Sequence, residues 1–232
     1  MNGKLYLLPT YLDIEHLEVI PPKTAEIAIQ LEFIIAENLR TTRRYLKKLD
    51  PTVNIDAITF FEWNNKSDNK SLDLLLQPAL KGNDIGIFSE AGCPGIADPG
   101  QVIIRRAHEL GIQVVPLSGP SAIFLALMAA GMNGQQFRFH GYLPIDESQK
   151  RKYITYLEKE AQQRKETQIF METPFRNNRI IESLLKVLDD KTNLCLAANI
   201  TADNEFIQTK KVSEWKKQVP DLHKQPCIFL IL

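Results

Sequence analysis

Cysteine is scarce in this sequence. The three that occur, Cys93, Cys195 and Cys227, lie far apart, and no pair has zinc-site or redox spacing. That excludes a disulfide scaffold and points to a reduced, cytoplasmic protein. No window offers the roughly 18 consecutive apolar residues of a spanning helix, so no membrane passage is expected. The opening MNGKLYLLPTYLD lacks a basic segment followed by a long apolar one, which argues against a secretory leader. An excess of either charge is missing too. The 28 Lys and Arg balance the 28 Asp and Glu, so attraction to nucleic acid must come from a local patch. Neither G-x-G-x-x-G nor G-x-x-x-x-G-K-[ST] occurs, which removes the dinucleotide and P-loop signatures. The histidines His16, His108, His140 and His223 show no pairing, and no metal site is expected.

What remains is a globular composition, 44% hydrophobic over 232 residues, enough for one large domain or two small ones. In the first half, strand-like runs at 5–8, 32–37, 57–61, 85–89 and 112–117 alternate with helix-like segments. The helices are expected at 71–80, 101–110 and 121–130, with one more capped by Asn38 and running to Leu49. This alternation predicts a mainly parallel sheet with helices on both faces. The second half reads differently. Strands are expected at 138–142, 168–172, 194–200, 206–212 and 227–232, and helices at 150–164 and 177–188. Consecutive strands near the end imply antiparallel additions, hence a mixed α/β domain. The expected division is 1–117 and 118–232.

Three junctions share one design: an apolar strand, a small or polar residue, Pro, then a helix. They are IADPGQVII, PLSGPSAIF and FMETPFRNN. Asp98, Gly119 and Thr173 suit N-cap positions, and Pro99, Pro120 and Pro174 suit the first helical position. Open α/β sheets bind ligands outside the carboxyl ends of their strands, where such junctions lie. SEAGCPGIADPG, residues 89–100, is richest in this chemistry. Glu90 at its mouth disfavours a phosphate and suits a cation, an amine or a sugar hydroxyl. Gly92 and Gly95 permit close approach of backbone to ligand.

That loop resembles S-D-A-G-x-P-x-x-[SA]-D-P-G of ribosomal RNA methyltransferases in the tetrapyrrole methylase family, the class III S-adenosylmethionine-dependent methyltransferases. GIQVVPLSGPSAIFLALMAAGM is similar to the family's G-I-x-V-x-P-x-P-G-P-S-A. FHGYLP is similar to F-x-G-F-L-P, IFMETPFR to I-F-Y-E-S-P-H-R, and IIAENLRTTRRYLKKL to I-A-A-E-D-T-R-x-[ST]-x-x-L-L. Order and spacing hold over nearly the whole chain. The resemblance implies two α/β domains with a cofactor cleft between them, usually in a homodimer, binding S-adenosylmethionine. Position by position it implies cofactor contacts at Pro9, Thr10, Glu90, Gly92, Cys93, Ser121, Ala122, Met171, Ala198 and Pro226.

The sequence also departs from the family. The first loop, A-T-P-I-G-N-L-x-D, is LPTYLDIEHLEVIPP here. Asn38 and Glu90 stand at family aspartates, Phe175 at a histidine, and Ala198 and Asn199 at an arginine and a glutamate. The changes fall mainly on the acceptor side. Transfer of a methyl group to a hydroxyl needs alignment and a proton acceptor. The candidates are Glu172, Glu37 and Asp98, with Glu172 ranked first because it follows an apolar strand directly. A carboxylate near a helix N-terminus is the plain alternative for it. Arg176 lies in the first turn of the next helix, where a cation opposes the dipole, and it is expected to face an anion and, with Arg40, to place a phosphate of the RNA. Arg40, Arg43, Arg44 and Lys47 fall at i, i+3, i+4 and i+7, a cationic stripe able to bind RNA phosphates. The expected reaction is methylation of a ribose 2'-hydroxyl of RNA, within the small ribosomal subunit. A small-molecule acceptor such as a tetrapyrrole is one rival; a catalytically weak RNA- or partner-binding relative is the other.

Overall fold

The short apolar runs of the first half become parallel strands in the computed structural model, which describes residues 2–68 and 72–232. The first unit, Met1–Ser121, contains β1 (Lys4–Leu8), α1 (Pro22–Gln30), β2 (Phe33–Ala36), α2 (Leu39–Leu49) and β3 (Thr59–Glu62). It continues with α3 (Leu72–Leu80), β4 (Ile85–Phe88), α4 (Gln101–Glu109) and β5 (Gln113–Pro116). The sheet order is β3-β2-β4-β1-β5, and every pairing is parallel. Strand residues alternate between two cores. Leu5, Ile35, Ile85 and Ile87 pack with Leu75, Leu76, Ile103 and Ala107 of α3 and α4. Leu8, Ile34 and Phe88 pack with Ala28, Tyr45 and Leu46 of α1 and α2. The period-two alternation of each strand thus places helices on both faces.

The second unit, Ala122–Leu232, comprises α5 (Ala122–Ala130), β6 (Phe137–Tyr142), α6 (Glu147–Arg164), β7 (Thr167–Met171) and α7 (Asn177–Val187). Then follow β8 (Asn193–Ala198), β9 (Phe206–Lys211), α8 (Val212–Trp215) and β10 (Cys227–Ile231). Its order is β6-β7-β10-β8-β9. Only β6 and β7 run parallel, and the last three pairings are antiparallel. Phe170, Leu194, Leu196, Phe229 and Ile231 share a core with Ile154, Leu157, Ile181 and Leu184 of α6 and α7. Helix α5 packs on β8, β9 and β10. Among the described residues no helix is long and apolar enough to cross a membrane.

Several expected bounds shift for local reasons. Helix α1 has no counterpart among the expected elements; Pro22 occupies its first turn, and the segment is short and weakly amphipathic. Strand β3 begins later because Asn54 accepts from Asp56 N and turns residues 55–57 into a 3-10 helix. Helix α6 begins earlier because the Asp146 carboxylate accepts from Gln149 N. Lys150, in its first turn, is buried with its Nζ 3.2 Å from Glu147. Ser71, the expected first residue of α3, lies outside the described residues. Asp98 is not an N-cap. Helix α4 starts at Gln101 after Gly100, and Asp98 Oδ1 accepts instead from Gly95 N (3.0 Å) and Gly100 N (2.6 Å). Asp98 therefore closes the loop on itself.

Candidate active site

Residues at the carboxyl ends of β1, β2, β3 and β4 gather at one edge of the first sheet. Pro9 and Thr10 follow β1. Thr10 forms a two-way bridge with Gly92: its N–H donates to Gly92 O at 2.9 Å, and Gly92 N–H donates back at 3.3 Å. The Thr10 hydroxyl donates to Ser89 O at 3.1 Å, and Ser89 Oγ donates to Gly92 O at 2.9 Å. Gly92 holds a left-handed φ of +70°, which glycine adopts without strain. Cys93 is half-buried, its Sγ 3.5 Å from Pro120 O, and burial pushes its thiol pKa up. Gly119 lies so close to the first loop that an added Cβ would sit 2.3 Å from Pro9 Cβ. Pro9, Thr10, Glu90, Gly92 and Cys93 therefore belong to one interlocked pair of loops, and Ser121 ends the segment beside them.

Beside these loops is a depression of roughly 450 Å³ lined by Glu37, Asn38, Arg40, Glu62, Asn64 and Glu90, among others. Glu37 follows β2 directly. Its carboxyl is raised above the ordinary glutamate value, first by partial burial, then by the negative charges of Asp98 and Glu90. Asp98 is also raised by burial, against the two backbone donors that lower it. Asn38 caps α2, its Oδ1 accepting from Arg40 N (3.0 Å) and Thr41 N (3.4 Å). Glu90 is exposed, and the Thr41 hydroxyl donates to its Oε1 at 2.7 Å. Tyr11 is raised by burial and by Glu90, with Arg44 acting the other way. Glu62, Asn64, Thr41 and Tyr11 are not among the residues expected from the sequence. Glu62 ends an apolar strand just as Glu37 follows one, and that signal was available.

The cationic residues of α2 are all exposed, while Thr42, Tyr45 and Leu46 form its buried side. Arg40 lines the depression. Arg43 lies over the Phe60 ring, 4.8 Å from its centroid, and Lys47 Nζ donates to Pro51 O at 2.9 Å. Both contacts leave the charge in solvent.

In the second unit, Met171, Ala198 and Pro226 meet at one end of the sheet. Ile228 pairs with Met171, Cys227 pairs with Ala198, and Asn199 N–H donates to Pro226 O at 2.9 Å. Ala122 opens α5. Glu172 is buried, and its Oε1 accepts from Thr173 N (2.7 Å) and Arg176 Nη2 (2.6 Å). Arg176 Nε also donates to Thr173 Oγ1 at 3.0 Å. The anion that Arg176 faces is therefore Glu172, and the pair fixes the 3-10 turn Pro174–Arg176 ahead of α7. Asn199 and Thr201, just past β8, both hold positive φ, 49° and 74°.

Comparison with known proteins is consistent along the chain. The family model of Tetrapyrrole (Corrin/Porphyrin) Methylases matches residues 16–215. Ribosomal RNA small subunit methyltransferase I of Escherichia coli O157:H7 is 30% identical over 233 residues, covering 99% of this chain and 78% of that protein. The protein of that name from Buchnera aphidicola subsp. Schizaphis graminum is 30% identical over 234 residues, covering 100% and 78%. The crystal structure of the methyltransferase CobJ is similar in fold, with a TM-score of 0.64 at 15% identity, covering 99% of this chain and 93% of that one.

Proposed function

The chain belongs to the tetrapyrrole methylase family and is a methyltransferase; from that premise we propose that it methylates a ribose 2'-hydroxyl of ribosomal RNA in the small subunit. One observation carries the RNA part of this reading. Arg40 both lines the acidic depression and heads the exposed cationic face of α2, so phosphate-binding charge begins where the carboxylates end. A strand of RNA held along α2 through its phosphates would present a neighbouring sugar to the depression.

The residues present fit the family's cofactor. The interlocked loops offer one exposed carboxylate, backbone groups and a glycine that leaves room for close approach, with no lysine or arginine among the assigned contacts. Such a set suits a cationic ligand and disfavours a polyphosphate. S-adenosylmethionine supplies an electrophilic methyl group on a sulfonium sulfur. Glu90 would balance its positive charge, and Pro9, Thr10, Gly92, Cys93 and Ser121 would shape the wall beside it; the family pattern also assigns Ala122, Met171, Ala198 and Pro226 to the cofactor. We assign the proton-accepting role to Glu37. Its carboxyl is raised above the ordinary glutamate value by partial burial and by neighbouring carboxylates, which makes it the stronger base, and it shares the depression with Glu90. Glu172 and Arg176 hold the turn that precedes α7. Arg40 and Arg44 place the acceptor's phosphate. The working form on this reading is a cytoplasmic homodimer, as the family pattern implies. Mapping of ribose methylation in ribosomal RNA from a strain lacking this gene tests the acceptor. One missing methyl group that returns with the gene supports the proposal, and an unchanged map removes it.

A further inference from the structure

We propose that Thr41 is a positioning residue for the cofactor: it holds the Glu90 carboxylate by one oxygen and leaves the other for the cationic ligand. This rests on the reading of Glu90 as a cofactor contact. One departure from the family pattern lies here. Glu90 stands where the family has the shorter aspartate, and its partner Thr41 stands at a position the family motif leaves open. The two are 49 positions apart in the chain, yet Thr41 Oγ1 lies 2.7 Å from Glu90 Oε1. A longer side chain has one more rotatable bond, and an exposed one is spread over several rotamers unless something fixes it.

Local hydrogen bonding commits the Thr41 proton to Glu90. The hydroxyl has one proton and two acceptors in reach, Glu90 Oε1 and the Asn38 carbonyl at 3.0 Å. The Asn38 carbonyl already accepts from Thr42 N at 3.2 Å and from Thr42 Oγ1 at 3.0 Å. The carboxylate is nearer, and a charged acceptor forms the stronger bond. Thr41 is itself fixed by the cap, since Asn38 Oδ1 holds its N–H and that of Arg40. The chain of support thus runs from the Asn38 cap, through the first turn of α2, to a carboxylate on the loop after β4.

The test is isothermal titration of S-adenosylmethionine, and of its demethylated product, into the full chain and four variants: Thr41→Val, Thr41→Ser, Glu90→Gln, and Thr41→Val combined with Glu90→Gln. Val keeps the β-branched shape and similar helix propensity. Melting curves check that each variant folds. The proposal expects Thr41→Val to weaken binding about three- to tenfold, the scale of one net hydrogen bond. Thr41→Ser should restore it, and Thr41→Val should add nothing once Glu90 is Gln. Coupling of that kind is what a merely structural threonine lacks. Weakening by Glu90→Gln together with unchanged binding in Thr41→Val overturns the positioning role and leaves the cofactor reading intact. An equal Thr41→Val loss in both backgrounds also overturns it. Unchanged binding in Glu90→Gln overturns both.

Discussion

Gly119→Ala tests the contact that holds the first loop. The new Cβ would sit 2.3 Å from Pro9 Cβ and 2.8 Å from Pro9 Cγ, both ring atoms with no rotamer to escape into. Restoring van der Waals contact needs a shift of about 1 Å in Pro9 or Gly119. Pro9 is joined to Thr10, which is tied to Gly92 by two backbone hydrogen bonds and to Ser89 O by its hydroxyl. Overpacking of this kind costs about 1–3 kcal/mol. For a chain of this size each kcal/mol lowers Tm by about 2–4 °C. A displacement of about 1 Å at a reacting centre costs up to about a hundredfold in rate. Gly3→Ala is the matched control. Its Cβ would meet Asn83 O at 2.0 Å, an equally severe clash, but at the amino end of β1, away from the loops. Both variants should melt lower than the parent, and only Gly119→Ala should lose methyl transfer measured well below its Tm. Equal transfer rates in the two variants, or a Gly119→Ala protein with parental Tm, would show that Gly119 does not brace the first loop.

Three further outcomes follow from the same geometry. Glu37 has a folded pKa above the ordinary 4.5, so folding favours its protonated form and that contribution is lost as pH rises through the folded value. Glu37→Gln should therefore raise Tm at pH about 7, with the gain closing on acidification toward the ordinary carboxylate range, while transfer falls about a hundredfold or more. Asp98→Ala removes the acceptor for Gly95 N and Gly100 N and should cost about 1–3 kcal/mol in denaturant melts, whereas Asp98→Asn keeps an acceptor and should cost less. Arg43→Glu with Lys47→Glu should flatten the salt dependence of RNA binding by about 0.7–0.9 in log–log slope for each phosphate that is no longer neutralised. An unchanged slope removes α2 from the RNA surface.

The parts legible in the sequence are those whose cause is local. Asn38 before LRTTRRYLKKL is a strong cap ahead of an amphipathic run, and α2 spans Leu39–Leu49 as that pattern implies. The βα alternation implied the parallel sheet of the first unit, and the run of late strands implied the antiparallel part of the second. What was not legible depends on contacts across distance or on competition for one group. Asp98 reads as a cap because Asp before Pro usually is one, yet its carboxylate is taken by two backbone donors within the loop. Arg176 reads as facing an external anion, and only the fold shows Glu172 turned back onto it. The bond from Thr41 to Glu90 joins α2 to the loop after β4, and no local pattern records it. Chemistry-bearing residues at strand ends were visible one at a time, and their convergence required the sheet order β3-β2-β4-β1-β5.

The proposed methyl transfer to ribosomal RNA can be measured outright. A radiolabelled methyl group on S-adenosylmethionine is offered to small ribosomal subunits taken from a strain lacking this gene. Label should enter a single ribose of the small-subunit RNA, and Glu37→Gln should abolish it. Absence of label from those subunits, or undiminished labelling by Glu37→Gln, would contradict the assignment of acceptor and base made above.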